Sequence, residues 1–210
     1  MSWRIAIGSA RMGFKSKSNL SDLPVGEGIR GIKYNWAKER SMIILGVDPG
    51  LITTGYGLIE VSGRDAVLLE GGVIRGGPDE SPLELRLSAL FDGLIEVLDQ
   101  FHPEALALEE LYSHYEHPTT AILMGHARGA LCLAAAKRSV PVFHYPSTRI
   151  KSSLTGNGRA SKTQMQKAIQ MRLGLKHVPD PHDIADALAA ALCHYSVACS
   201  PIFAAIRSRT

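Results

Sequence analysis

Four acidic residues stand where regular secondary structure is expected to begin or end. Asp48 follows an apolar run over 42–47, and Glu109 follows another over 105–108. Asp183 and Asp186 are three residues apart in an alanine-rich stretch, so a helix would carry both on one face. Carboxylate oxygens are the ligands that Mg²⁺ and Mn²⁺ prefer. The pattern therefore predicts a divalent metal site, and paired ions held by acids carry out phosphoryl-transfer chemistry.

Composition points to one globular domain. The chain has 210 residues, of which 45% are hydrophobic and 20% charged, which is ordinary for a folded protein with a single well-buried core. No apolar run approaches the roughly 20 residues that span a bilayer. Cys132, Cys193 and Cys199 are odd in number and lie in apolar segments without a CxxC spacing. They are interpreted as thiols of a reducing compartment, which favours a cytoplasmic location.

The charges are unevenly distributed along the chain. Residues 1–41 carry eight Lys or Arg against three acids, so the remainder has a net charge of −2 within the total of +3. Residues 117–179 nevertheless contain ten Lys or Arg and no acid. A positive surface beside an acidic metal site is what an enzyme acting on a polyanionic backbone requires.

The first 41 residues differ from the rest because they show no sustained hydrophobic period. Two interpretations are open: an overlong start to the coding sequence, or a disordered basic extension that aids DNA binding. The folded domain is predicted over 42–198, with a C-terminal tail at 199–210.

The predicted elements begin with a three-stranded meander and continue with alternating helices and strands. The strands are 42–48, 53–61, 66–74, 105–109 and 140–145. The helices begin at Ser81 with Pro82 in the first position, at about 119–138, near 147–153 and 161–173, and at about 181–197 with Asp180 as cap. Gly55 and Gly57 in the second strand suggest close approach of another backbone.

This order is typical of the ribonuclease H-like fold, an α/β fold with a mixed five-stranded sheet flanked by helices. Strands one and four are neighbours in that fold, so Asp48 and Glu109 would meet at one end of the sheet. A last helix laid across the same end would add Asp183 and Asp186. The predicted topology therefore gathers all four acids.

Five collinear segments resemble the RuvC family of Holliday-junction resolvases, and the likeness runs from Met42 to about Val197. The segments are Ile43-Ile44-Leu45-Gly46-Val47-Asp48-Pro49-Gly50, Thr54-Gly55-Tyr56-Gly57, Ala107-Leu108-Glu109-Glu110, Gly125-His126-Ala127-Arg128-Gly129 and Asp183-Ile184-Ala185-Asp186-Ala187-Leu188-Ala189. The resemblance implies a homodimeric, Mg²⁺-dependent endonuclease that makes paired symmetric nicks in four-way DNA junctions during recombination and repair. It also implies two ions per site, with Mn²⁺ as a substitute, and a RuvA–RuvB branch-migration complex as partner.

The family's four metal-binding acids fall on Asp48, Glu109, Asp183 and Asp186. Glu110 stands where the family commonly has Gln, so this chain has a second glutamate that could serve as the metal ligand in place of Glu109. Adjacent strand residues point to opposite faces, so only one of the two glutamates can enter the site. The family position selects Glu109.

Four further residues are expected to contact DNA. By resemblance, Tyr112 corresponds to an aromatic residue that stacks on junction bases, and Lys151 and Lys162 correspond to basic residues near the cleaved strand. Independently, Ser161-Lys162-Thr163-Gln164 is a capping box after a flexible loop, and a lysine in the first turn of a helix favours phosphate binding, so Lys162 is also expected to assist catalysis. Arg159 in that loop could join it.

Other functions were weighed against these residues. An actin-like ATPase or kinase shares the Asp48-Pro49-Gly50 turn but needs a second, duplicated domain that the remaining length does not easily supply. An inactive junction binder would lack at least one ligand, and all four acids are present. An RNase H-like nuclease acting on another branched DNA or RNA remains the alternative, since the fold does not dictate the substrate.

A symmetric dimer would supply two sites for paired cuts. In the predicted helix over about 119–138, the segment 125–136 offers small residues at Gly125, Gly129 and Ala130 for close approach of a second copy, with Leu123 and Leu133 adding buried area.

Overall fold

The computed structural model describes residues 41–63, 65–110 and 118–198. The predicted extension over 1–41, apart from Ser41, and the predicted tail over 199–210 lie outside these residues. Five strands and five helices are described: β1 Met42–Asp48, β2 Thr53–Ser62, β3 Asp65–Arg75, α1 Leu83–Phe101, β4 Ala105–Glu109, α2 Pro118–Lys137, β5 Val142–Tyr145, α3 Ser147–Thr155, α4 Lys162–Arg172 and α5 His182–Ala198.

The strands form one mixed sheet in the order β3-β2-β1-β4-β5. β1, β2 and β3 pair antiparallel as the predicted meander, whereas β4 runs parallel to both β1 and β5. The predicted mixed five-stranded sheet with flanking helices is confirmed. β1 is the central strand of the sheet. Both of its faces are covered, and most of its residues are therefore buried.

Two hydrophobic cores lie on opposite faces of the sheet. On one face, Leu45, Val47 and Leu108 pack against α1 and α2. On the other face, Ile44 and Ala107 pack against α5, with α3 and α4 outside it. The alternation follows from the two-residue period of a strand, and it decides which strand-end acids share a face.

Helix α5 lies directly on the sheet because glycines leave room for it. A Cβ built on Gly46 would stand 1.9 Å from the main-chain oxygen of Ala187. A Cβ on Gly55 would stand 2.1 Å from the main-chain oxygen of Asp183, so the predicted backbone approach at Gly55 is confirmed. At Gly57 the nearest atoms belong instead to the side chain of Leu188.

Three predicted boundaries were wrong. α1 begins at Leu83, because Pro82 has an extended ψ of 140° and precedes the helix. β5 begins at Val142, because the N–H of Val140 still donates to Ala135 and belongs to the end of α2. α5 begins at His182 and Asp180 is not its cap, since the N–H of Ile184 donates to the carbonyl of Pro181.

Cys132 and Cys193 are free thiols, as predicted, and burial raises the pKa of both. Cys199 lies outside the described residues. Among the described helices, none is long and apolar enough to cross a membrane.

Candidate metal centre

Asp48 and Glu109 end neighbouring parallel strands on the same face of the sheet. The β1–β4 register pairs Val47 with Leu108, and both side chains enter the core under α1 and α2. The next residue of each strand, Asp48 and Glu109, must therefore point toward α5. The two carboxylates thus meet at one end of the sheet, as predicted.

The turn after Asp48 is fixed by a buried threonine. Thr54 is fully buried, and its hydroxyl donates to the carbonyl of Gly50 at 2.7 Å while accepting from the Gly50 N–H at 3.2 Å. The hydroxyl replaces water for both main-chain groups. The Asp48-Pro49-Gly50 turn is therefore held to the first residues of β2, which limits movement of Asp48.

Helix α5 brings the acidic pair to the same place. Its first turn rests on β2, where the Asp183 backbone occupies the space above Gly55. Asp186 lies one turn further along, and both side chains are half-buried. Ile184, Ala185 and Leu188 are buried on the core side of this helix end, which orients the two aspartates toward the ends of β1 and β4.

The four acids influence one another electrostatically. Burial, followed by the charges of Asp186, Glu109 and Asp183, raises the pKa of Asp48 from 3.8 to about 7, against the opposing effect of Lys162. Asp48 is therefore the acid on which the other three charges converge. A buried carboxyl with a strongly raised pKa beside other acids is a candidate for a functional site.

The same pattern extends to two other acids. Burial and then Asp186 raise the pKa of Glu109, while Lys151 and Arg128 oppose the rise. Burial also raises the pKa of Asp186, with Lys162 as the largest opposing influence. The cluster is therefore acidic at its centre and basic at its margin.

Glu110 points away from this cluster. It is exposed, and its N–H donates to the carbonyl of Tyr145. Burial and Arg128 lower the pKa of His144, and the Glu110 charge opposes that shift. His144 lies on the α2 side of the sheet. The strand alternation therefore separates Glu110 from Glu109, as the sequence predicted.

The donor set suits a hard divalent cation. All four candidate groups are carboxylates, with no thiolate or imidazole ligand among them. Within residues 41–63, 65–110 and 118–198, no three His, Cys, Asp or Glu side chains are gathered closely enough to hold an ion. Binding of an ion would therefore require the carboxylates to move closer to one another.

Lys151 and Lys162 lie at the margin of the acidic cluster, where each opposes the raised pKa of Asp186. Lys162 is the first residue of α4, and the predicted capping box is present: Ser161 accepts from the N–H of Gln164 at 3.2 Å and donates its own N–H to the Gln164 side chain at 2.9 Å. Lys162, at the N-terminus of α4, is therefore close enough to Asp48 and Asp186 for its charge to oppose the rise in their pKa.

Arg159 is exposed and is not among the charges that shift the pKa of Asp48, Glu109 or Asp186. The loop predicted to be flexible around it is held by side-chain hydrogen bonds of Thr155 and Asn157, the latter accepting from the Arg159 N–H at 2.9 Å. Tyr112 lies outside the described residues.

No role was predicted for Arg128 from the sequence. Its guanidinium donates to the main-chain carbonyl of Glu109 and contacts Nδ1 of His144. The available signal was a single arginine inside Gly125-His126-Ala127-Arg128-Gly129, in a stretch without acids. Such a residue is indistinguishable from a surface arginine until α2 is placed beside β4.

Comparison with known proteins gives one family. The family described as crossover junction endodeoxyribonuclease RuvC matches residues 44–194. The protein of that name from Rhodopirellula baltica is 52% identical over 159 residues, which are 76% of this chain and 89% of that protein. The one from Pelotomaculum thermopropionicum is 45% identical over 153 residues, which are 73% of this chain and 92% of that protein.

Solved structures agree. RuvC of Thermus thermophilus is 37% identical with a TM-score of 0.70, covering 75% of this chain and 95% of that one. The same protein in complex with a Holliday junction substrate matches with a TM-score of 0.70 at 37% identity over 75% of this chain and 94% of that one. The yeast mitochondrial Holliday junction resolvase Ydc2, at 14% identity and a TM-score of 0.53 over 73% and 77% of the two chains, shares the fold.

Proposed function

This chain belongs to the RuvC family of crossover junction endodeoxyribonucleases, and we propose that it resolves four-way DNA junctions by paired, symmetric, Mg²⁺-dependent nicks during homologous recombination and repair. The observation that carries the proposal is the convergence of four carboxylates from β1, β4 and α5, with the pKa of Asp48 raised to about 7. The Thermus thermophilus relative has been solved with a Holliday junction substrate. That relative supports the choice of substrate.

Asp48, Glu109, Asp183 and Asp186 would hold the metal, as two Mg²⁺ ions, with Mn²⁺ as a substitute. When bound, the ions would activate the attacking water and stabilise the departing oxygen of a phosphodiester. The buried end of the sheet orients Asp48 and Glu109, whereas α5 supplies the other two acids. These residues would confine the cut to the one phosphate that reaches the end of the sheet.

The basic margin would bind the DNA backbone. Lys162 combines its own charge with the N-terminus of α4, where main-chain N–H groups favour a phosphate, and it is also positioned to assist catalysis. Lys151 stands on α3 beside Glu109 and Asp186. Arg159 would reach DNA further from the cut, and Tyr112 is proposed on resemblance alone to stack on junction bases.

Two copies would be needed for paired cuts, and helix α2 offers a face for the second. Its outward stripe contains Gly125 and Gly129, beside which no atom lies within 4 Å of a built Cβ among the described residues. Ile122 and Leu133 flank them and are 61% and 54% exposed. Glycine inside a helix costs about 1 kcal/mol relative to alanine. Close approach of a second α2 would explain this cost.

The predicted contribution of Leu123 to this face was wrong, because Leu123 packs against the core beneath α1 and α2. From the family resemblance alone we also propose a RuvA–RuvB branch-migration partner and a cytoplasmic location. Residues 42–198 are proposed to form the nuclease unit.

The test is cleavage of a synthetic four-way junction, with nicks mapped on a denaturing gel in Mg²⁺ and in EDTA. We expect Asp48→Asn, Glu109→Gln, Asp183→Asn and Asp186→Asn each to abolish nicking while a gel shift still shows junction binding, because the basic margin remains. Glu110→Gln is the matched control and should cut normally. If the protein cut a branched RNA as fast as the DNA junction, the alternative function, an RNase H-like nuclease acting on another branched nucleic acid, would be favoured. If any of the four acid variants cut at the wild-type rate, that acid would have no role in the mechanism.

A further inference from the structure

Arg128 joins helix α2 to the end of strand β4. Its guanidinium donates one N–H to the main-chain carbonyl of Glu109, 19 residues earlier in the chain. A second guanidinium nitrogen contacts Nδ1 of His144 on β5. Arg128 is half-buried. One side chain thus contacts the last residue of β4 and the neighbouring strand.

The carbonyl of Glu109 needs such a donor because the sheet cannot provide one. The β1–β4 register ends at Val47 and Leu108, and its continuation would pair Asp48 with Glu109. In a regular parallel ladder the Glu109 carbonyl would then accept from the N–H of residue 49. Residue 49 is proline and has no N–H. Arg128 supplies the hydrogen bond that the ladder lacks.

The geometry of the guanidinium suits this double contact. Arginine presents several N–H groups in a rigid plane, whereas lysine is a single flexible ammonium. Because arginine has only donors, Nδ1 of His144 must accept, and His144 is then neutral with its proton on Nε2. Burial and the Arg128 charge lower the pKa of His144, against the opposing charge of Glu110, which agrees with a neutral ring.

We propose that Arg128 is a positioning residue that fixes the main chain of Glu109, and with it the Glu109 carboxylate, by anchoring the end of β4 to helix α2. The role rests on the proposed function of Glu109 as a metal ligand. Arg128 touches neither the reacting phosphate nor the ions, and it acts through Glu109. Its contribution would be geometric, since displacement of a catalytic group by about 1 Å can cost up to roughly a hundredfold in rate.

The experiment compares Arg128→Lys and Arg128→Met with Arg138→Met. Arg138 is the matched control, because it follows the same helix and pairs with Asp99 on the surface, away from the acids. In the metal-free protein, amide hydrogen exchange of residues 105–110 should be faster in both Arg128 variants, since the end of β4 opens more readily. Single-turnover nicking of the four-way junction should be slower by about tenfold or more, with the junction Kd unchanged to within about twofold.

Three results would overturn the proposal. Wild-type nicking by Arg128→Lys would show that positive charge alone is needed. A weaker junction Kd with a salt slope lower by about one unit would make Arg128 a phosphate contact. Unchanged amide hydrogen exchange of residues 105–110 in the Arg128 variants would show that Arg128 does not anchor the end of β4. If wild-type protein failed to cut any four-way junction while the exchange difference held, the proposed function would fail, and only the anchoring of β4 to α2 by Arg128 would be supported.

Discussion

At the scale of single residues, Asp48 carries an electrostatic cost that its function would explain. Its pKa is raised from 3.8 to about 7 by burial and by three neighbouring acids. An acid whose pKa is higher in the folded than in the unfolded protein lowers stability as pH rises between the two values. Each pKa unit corresponds to about 1.4 kcal/mol, so ionised Asp48 costs the fold on the order of a few kcal/mol above neutral pH. A cation bound by the four acids would offset this cost.

This cost can be measured by thermal unfolding in EDTA. Asp48→Asn should raise the Tm at pH 8 by several degrees, since one kcal/mol is worth about 2–4 °C in a domain of this size. The difference should shrink as pH falls from 7 toward 4, because the wild-type carboxyl becomes protonated in the folded protein over this range. Mg²⁺ should stabilise the wild type more than the variant. A Tm difference independent of pH would contradict the raised pKa.

Lys162 allows a second test at this scale. Lys162→Ala should slow junction nicking and lower the slope of log K against log salt by about one unit, because one phosphate contact is lost. Lys151→Ala should have the same effect on the slope. Lys167→Ala is the matched control, since Lys167 is exposed on the same helix and is not among the charges that shift the pKa of Asp48, Glu109 or Asp186. Equal slopes for Lys162→Ala and Lys167→Ala would exclude a specific phosphate contact.

The candidate ligands were predictable because each acid ends an apolar run or shares a helix face, and both patterns are visible in the sequence. Strand alternation admitted only one of Glu109 and Glu110 to the site, and the family resemblance, not the alternation, selected Glu109. The anchoring role of Arg128 was not predictable, because it depends on contact between residues 19 and 16 positions apart, across α2, β4 and β5. Sequence periodicity carries no information on such contacts.

At the scale of elements, the strands were predictable to within about two residues because their apolar runs are long and bounded by turn residues. The wrong predictions concern the ends of elements, where a single main-chain hydrogen bond or backbone angle decides whether a residue belongs to the helix or strand. Val140 looks like a strand residue by composition, yet its N–H belongs to the last turn of α2. Pro82 looks like a first helical residue, yet its backbone is extended.

Helix α2 has two separate tasks in the proposed enzyme. Its inner face packs on α1 through Leu131 and Ala134, and Arg128 at the edge of that face holds Glu109. Its outer face carries Gly125 and Gly129. The helix that would join two copies would therefore also position one of the metal ligands in each.

At the scale of the whole molecule, the central question is how two cuts are made together. One acidic cluster cuts one strand, whereas resolution of a four-way junction needs two cuts related by symmetry. A twofold dimer fixes two identical sites at a constant separation. The outward stripe of α2, with Ile122, Gly125, Gly129 and Leu133, is the face proposed for that contact.

Leu133→Glu tests the dimer directly. A buried, unpaired charge is strongly unfavourable, so sedimentation equilibrium at micromolar concentration should show a monomer, whereas the wild type should be a dimer. Leu85→Glu is the matched control, because Leu85 is 60% exposed on α1 and lies off this stripe. A plasmid with an extruded cruciform should be linearised by paired cuts of the wild type and of Leu85→Glu. The monomer should release open circles, because its two cuts come from separate binding events. A monomeric wild type that still linearises the plasmid would reject the dimer, and a dimeric Leu133→Glu would place the interface elsewhere.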